Sequence, residues 1–157
     1  MLVGPDGAMG VALAVRGELA AAIRWMEEAI SKREKEGYRV AADWYRMFLC
    51  EIYLEIISGK DKPPLRVLMR NALTLMIVMF SAPKRVAALV ARVRENPQFD
   101  PNGHFIGRCE MILGRLYKAK KKGAVAVQHL TEAKRIASQF GPTPILARID
   151  AELAELA

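Results

Sequence analysis

Apolar residues recur three and four positions apart along most of the chain, and strict alternation bounded by tight-turn pairs is almost absent. That periodicity predicts helices and gives no confident strand. Breaks fall at Gly17, Gly37, 59–64, 81–83, 96–103, Gly123 and 141–144. The intervals between them predict eight helices, over 6–15, 19–36, 39–58, 64–80, 83–95, 103–121, 123–139 and 143–156. Two starts carry a hydroxyl cap followed by a proline: Ser81 before Pro83, and Thr143 before Pro144. Gly37 and Gly141 stand where a helix ends on a left-handed residue.

Two predicted helix pairs repeat one another. At offsets −1, 0, +3, +12, +16 and +19 from Gly114 stand Leu113, Gly114, Tyr117, Ala126, Leu130 and Ala133. The same offsets from Gly10 give Met9, Gly10, Leu13, Ala22, Met26 and Ala29. This is the tetratricopeptide spacing, in which Gly and Ala allow two antiparallel helices to approach and the bulky positions fill the space to the next pair. The expected fold is therefore all-α: a tetratricopeptide-like array of antiparallel helix pairs, about 7–8 helices, in one domain over 1–157. Residues 1–5 are expected to be flexible. The last helix, 143–156, carries Ile145, Ile149, Leu153 and Leu156 on one stripe and suits a terminal cap.

The middle departs from this pattern. Leu49, Cys50 and Tyr53 match the first half of a third repeat, but its +12 position is Lys62, so the 59–64 linker displaces the second helix. The next helix, 65–80, is apolar on nearly all sides beyond Arg70, and burial between layers is the expectation. Were it left exposed, it would drive dimerisation. Its most apolar run, 72–80, is nine residues, well short of the roughly 20 a bilayer span requires, so no spanning segment is expected. The first ten residues hold no cation ahead of an apolar stretch, which argues against a signal peptide.

Residues 41–156 also resemble the C-terminal tetratricopeptide region of bacterial class III adenylate/guanylate cyclase-like proteins that carry an ATPase module. The resemblance rests on Leu49-Cys50-Glu51-Ile52-Tyr53-Leu54, on Pro63-Pro64 with Arg70-Asn71, and on Asn96-Pro97-Gln98-Phe99-Asp100. It continues in Leu113-Gly114-Arg115-Leu116-Tyr117, His129-Leu130 with Ala133, and Arg148-Ile149-Asp150. It implies a non-catalytic helical array in bacterial signal transduction. Its implied partner is a protein or protein segment, such as a cyclase or ATPase module in cis or in trans. This chain would be such a tail in isolation.

Composition and charge bear on what the array could bind. The chain is 157 residues, 52% of them apolar, with 24 Lys and Arg against 17 Asp and Glu. Two cysteines cannot staple a secreted scaffold; Cys50 and Cys109 read as reduced core thiols of a cytoplasmic protein. No phosphate loop occurs. His104 and His129 have no second ligand at helical spacing, and neither cysteine has a histidine in register, so no metal, cofactor or catalytic site is expected. The net charge of +7 is unevenly placed. Residues 60–135 carry 16 Lys and Arg against 5 Asp and Glu, net +11, which leaves −4 elsewhere. Arg108, Arg115 and Lys122 fall on one helical line, with Lys118 beside it in the densest run. These four are the expected contacts for an acidic partner. A small basic nucleic-acid-binding regulator is the alternative. It is disfavoured because the aromatics, Trp25, Trp44, Tyr45, Phe48, Tyr53 and Tyr117, sit at packing positions rather than on a stacking platform.

Overall fold

A computed structural model describes residues 5–59 and 65–157, and every regular element among them is a helix. The helices are α1 (Pro5–Val15), α2 (Leu19–Lys35), α3 (Arg39–Ser58), α4 (Leu65–Arg70), α5 (Ala72–Arg94), α6 (His104–Ala119), α7 (Gly123–Ser138) and α8 (Pro144–Ala154). The protein is all-α. The flexible segment expected over 1–5 falls, but for Pro5, outside the described residues, as does most of the 59–64 linker.

Two compact units divide the chain, Met1–Leu89 and Val90–Ala157, with the division inside α5. In the first, α1 packs on α2 and α2 on α3. Gly10 is buried against Met26: a Cβ built on it would stand 2.7 Å from the Met26 methyl. Ala22, Met26 and Ala29 are buried with Ala42, Met47, Leu49 and Tyr53. The α2–α3 turn is made by Gly37, at φ 80, which only glycine adopts without strain.

In the second unit α6 packs on α7 and α7 on α8. Gly114 lies at the closest approach of α6 and α7. A Cβ there would stand 2.5 Å from Leu130 Cγ and 3.3 Å from the Ala126 carbonyl. Gly10–Met26 and Gly114–Leu130 are thus the same contact at the same offset of sixteen, once in each unit. Leu130 and Ala133 join Met111, Ala137 and Ile149 in a core that Ile145, Leu146, Leu153 and Leu156 cover. Thr143 Oγ1 accepts from Leu146 N at 3.2 Å and Pro144 opens α8, as the cap signal predicts.

The largest departure from the sequence pattern concerns α4 and α5. The break expected at 81–83 is absent: Pro83 lies inside a continuous 23-residue helix, and the Ser81 hydroxyl is buried without a hydrogen bond. Proline removes one donor from the helical ladder, and packing of the apolar residues around it outweighs that loss. The break falls at Asn71, whose Nδ2 donates to Gly17 O and to Val67 O, both at 2.8 Å. An amide that bonds the backbone in this way competes with the helix. By length and composition α5, whose most apolar 18-residue stretch has a mean hydropathy of 1.6, is long and apolar enough to cross a membrane.

The two equivalent glycines differ in what a methyl group would meet. At Gly10 it meets a flexible Met26 side chain, whereas at Gly114 it meets the branch point of a fully buried leucine and a backbone carbonyl. Gly114→Ala is expected to lower unfolding free energy by about 1–3 kcal/mol despite its better helix propensity, and Gly10→Ala to cost less. Guanidinium denaturation of both variants checks this; equal or higher stability for Gly114→Ala would refute the close approach.

Candidate interaction surface

The four expected partner contacts do not form one open line. Arg115 is buried, and its Nε lies 3.2 Å from Glu152 Oε1 on α8. Lys118 Nζ donates to Glu152 Oε2 at 2.7 Å, to Glu155 Oε2 at 2.8 Å and to the Glu152 carbonyl at 3.3 Å. Burial opposes the Lys118 charge, but the two carboxylates outweigh it and hold its pKa above the ordinary value. Arg115 and Lys118 therefore tie down the capping helix, which corrects their assignment to a partner. Arg108 is half-buried beside His104, and partial burial together with that guanidinium lowers the His104 pKa. Lys122, exposed at the start of α7, is the one residue of the four in open solvent.

A second polar cluster sits between α6 and α7. Buried Glu110 takes His129 Nδ1 at 2.7 Å on one oxygen and Arg94 Nη2 at 3.4 Å on the other. Tyr117 stacks on His129 with ring centroids 5.3 Å apart, and Lys120 lies over the Tyr117 ring. His129 is thus a half-buried packing histidine. Tyr117, Gly114, Ala126, Leu130 and Ala133 all stand in or beside the α6–α7 contact. Among the described residues no group of three or more His, Cys, Asp or Glu is placed to hold a metal ion. On α2 a half-open cleft of ≈ 180 Å³ is lined by Trp25, Glu28, Ala29 and Lys32.

The most exposed apolar surface of the first unit is on α4 and α5, where the sequence pattern predicts burial. Met69 is 73% exposed, Leu73 70%, Met76 60% and Phe80 85%, with Ile77 and Met79 beside them. Monomers rarely expose a contiguous row of this size. The opposite stripe, Asn71, Val78, Ala82 and Val86, is buried. Polar contacts hold the helix in that rotation. Arg70 Nη2 donates to Gly17 O at 2.8 Å, Cys50 Sγ to Val86 O at 3.9 Å, and Arg85 Nη1 to Tyr53 Oη and Glu27 Oε1, each at 2.9 Å. Burial lifts the Tyr53 phenol above its usual pKa against the pull of Arg85, so the hydroxyl stays neutral and accepts that bond. The sequence holds a clue to the outward orientation. Arg66 and Lys84 stand eighteen positions apart, five helical turns, on the side of the apolar row.

No protein-family model, curated protein or solved structure matches the chain.

The role of the charge cluster on α8 is measurable. Glu152→Gln leaves Arg115 and Lys118 without their buried carboxylate and is expected to cost about 3 kcal/mol of stability. Glu155→Gln, at a half-exposed position, is expected to cost about 1 kcal/mol or less. Urea denaturation separates the two. A neutral Glu152→Gln would mean that Arg115 and Lys118 serve something other than the cap.

Proposed function

We propose that the chain is a non-catalytic, tetratricopeptide-like protein-interaction or regulatory domain, acting in the cytoplasm. It is of the kind that forms the C-terminal region of bacterial class III cyclase/ATPase signalling proteins. The repeated Gly–large contact at the same offset in α1–α2 and α6–α7, and a last helix whose apolar stripe closes one end, support the repeat reading. The observation that carries the functional reading is the outward apolar row of Met69, Leu73, Met76 and Phe80, anchored from behind by buried valines and polar ties. A folded helix that presents large apolar side chains to water without cost to its own packing is a ready docking face. The buried ion pairs of the second unit, by contrast, serve internal architecture.

The test uses a Leu73→Glu/Phe80→Glu variant. Both side chains are exposed, so the variant should keep the wild-type circular dichroism and melting profile. In a binding assay against cyclase-like and ATPase modules encoded beside the chain, wild type should be retained. The variant should bind at least about tenfold more weakly, since two such side chains represent more than 1.4 kcal/mol of burial. Retention that ignores the substitutions would refute this docking face.

A further inference from the structure

The chemistry of the α4–α5 face narrows what covers it, on the reading that it is a docking face. Met69, Leu73, Met76 and Phe80 follow a four–three–four spacing, the seam that one helix offers another. The helical path is continuous enough to keep them in line: Asn71 N donates to Val67 O at 3.1 Å and Leu75 N to Asn71 O at 2.8 Å. The row is about 17 Å long at the helical rise, room for about three turns of a partner. Two of its four members are thioethers, which adapt to a helical partner's side chains.

Charge selects among the occupants. From Lys62 to Arg94 the chain holds no Asp or Glu. Arg70 and Arg85 are exposed but already paired, with the Gly17 carbonyl and with Tyr53 and Glu27, which leaves exposed Arg66 and Lys84 bracketing the row. A second copy docked on this face would set cation against cation in either orientation and bring no carboxylate. For a bilayer, α5 has the length and apolarity to cross one, but neither α4 nor α5 has any of the Trp or Tyr that anchor interfacial segments, and the four–three–four seam is the pattern one helix offers another.

We infer that the face receives a single amphipathic helix of a partner protein, with leucine-like residues on its seam and carboxylates flanking them. The row of Met69, Leu73, Met76 and Phe80 packs the seam, and Arg66 and Lys84 pair with the carboxylates at its two ends.

The probe is a fluorescein-labelled three-heptad peptide with Leu at the seam positions and Glu at the flanking ones; its counterpart carries Lys at the flanks. Against the full chain at low ionic strength, the Glu peptide is expected to bind at least about tenfold tighter than the Lys peptide and to gain helicity. Arg66→Glu/Lys84→Glu should reverse that preference, and Leu73→Glu/Phe80→Glu should abolish binding of both. Equal binding of the two peptides, or no binding of the Glu peptide, overturns the inference. So does sedimentation with phosphatidylserine/phosphatidylcholine vesicles that depends on Leu73 and Phe80, which would assign the face to lipid. A concentration-dependent dimer lost in the same variant would assign it to a second copy. These last two results spare the docking face and remove only its helical occupant. Peptide binding that Leu73→Glu/Phe80→Glu leaves unchanged removes both.

Discussion

The rotation of α5 about its own axis decides which side chains this molecule offers to its surroundings, and a few polar ties fix that rotation. Asn71 and Arg70 bind the carbonyl of Gly17, the Cys50 thiol donates to the carbonyl of Val86, and Arg85 joins Tyr53 and Glu27. An α-helix this apolar could bury either side at similar gain, because Val, Ala, Leu, Met and Phe surround it. Burial of apolar area is non-directional. Hydrogen bonds are directional, and leaving a buried polar group unpaired costs more than one is worth when made. The ties therefore select the small stripe, Val78, Ala82 and Val86, for the interior and turn the larger row outward.

The same division between a non-directional drive and directional selection explains what could be read from the sequence. Helix positions follow from periodicity and from local chemistry that needs no partner: Gly37 and Gly141 at positive φ, and Thr143 with Pro144 at the start of α8. The Gly114–Leu130 and Gly10–Met26 approaches were visible as a repeated offset, since close packing demands a particular size class at each position. Three things were not legible. Pro83 reads as a helix start, and only the surrounding packing shows it inside α5. Asn71 reads as an ordinary polar residue, and its role depends on Gly17, 54 positions away. Which face of α5 is buried depends on those tertiary contacts; the pattern, apolar on nearly all sides, pointed to burial all round and singled out no face.

Charge tells the same story on a smaller scale. The line of Arg108, Arg115, Lys118 and Lys122 is real as helical geometry, yet Glu152 on α8 claims two of its members. A cation on a helix and a carboxylate on a distant one look alike whether they meet or face solvent. Asp43 with Arg46, and Glu110 with His129, are further buried pairs whose sequence signal is only a charge set among core residues. With those internal pairs set aside, Arg66 and Lys84 remain exposed beside the apolar row, and Lys120, Lys121 and Lys122 remain exposed at the α6–α7 turn.

The orientation of α5 can be read directly from its methionines. Met69, Met76 and Met79 are more than half exposed, whereas Met26, Met47 and Met111 are at most 1% exposed. Under dilute hydrogen peroxide, with peptide mass spectrometry resolving each site, the first three should become sulfoxides rapidly while the last three stay protected until the protein unfolds. Protection of Met69, Met76 and Met79 to the level of Met26, Met47 and Met111 would contradict the outward face.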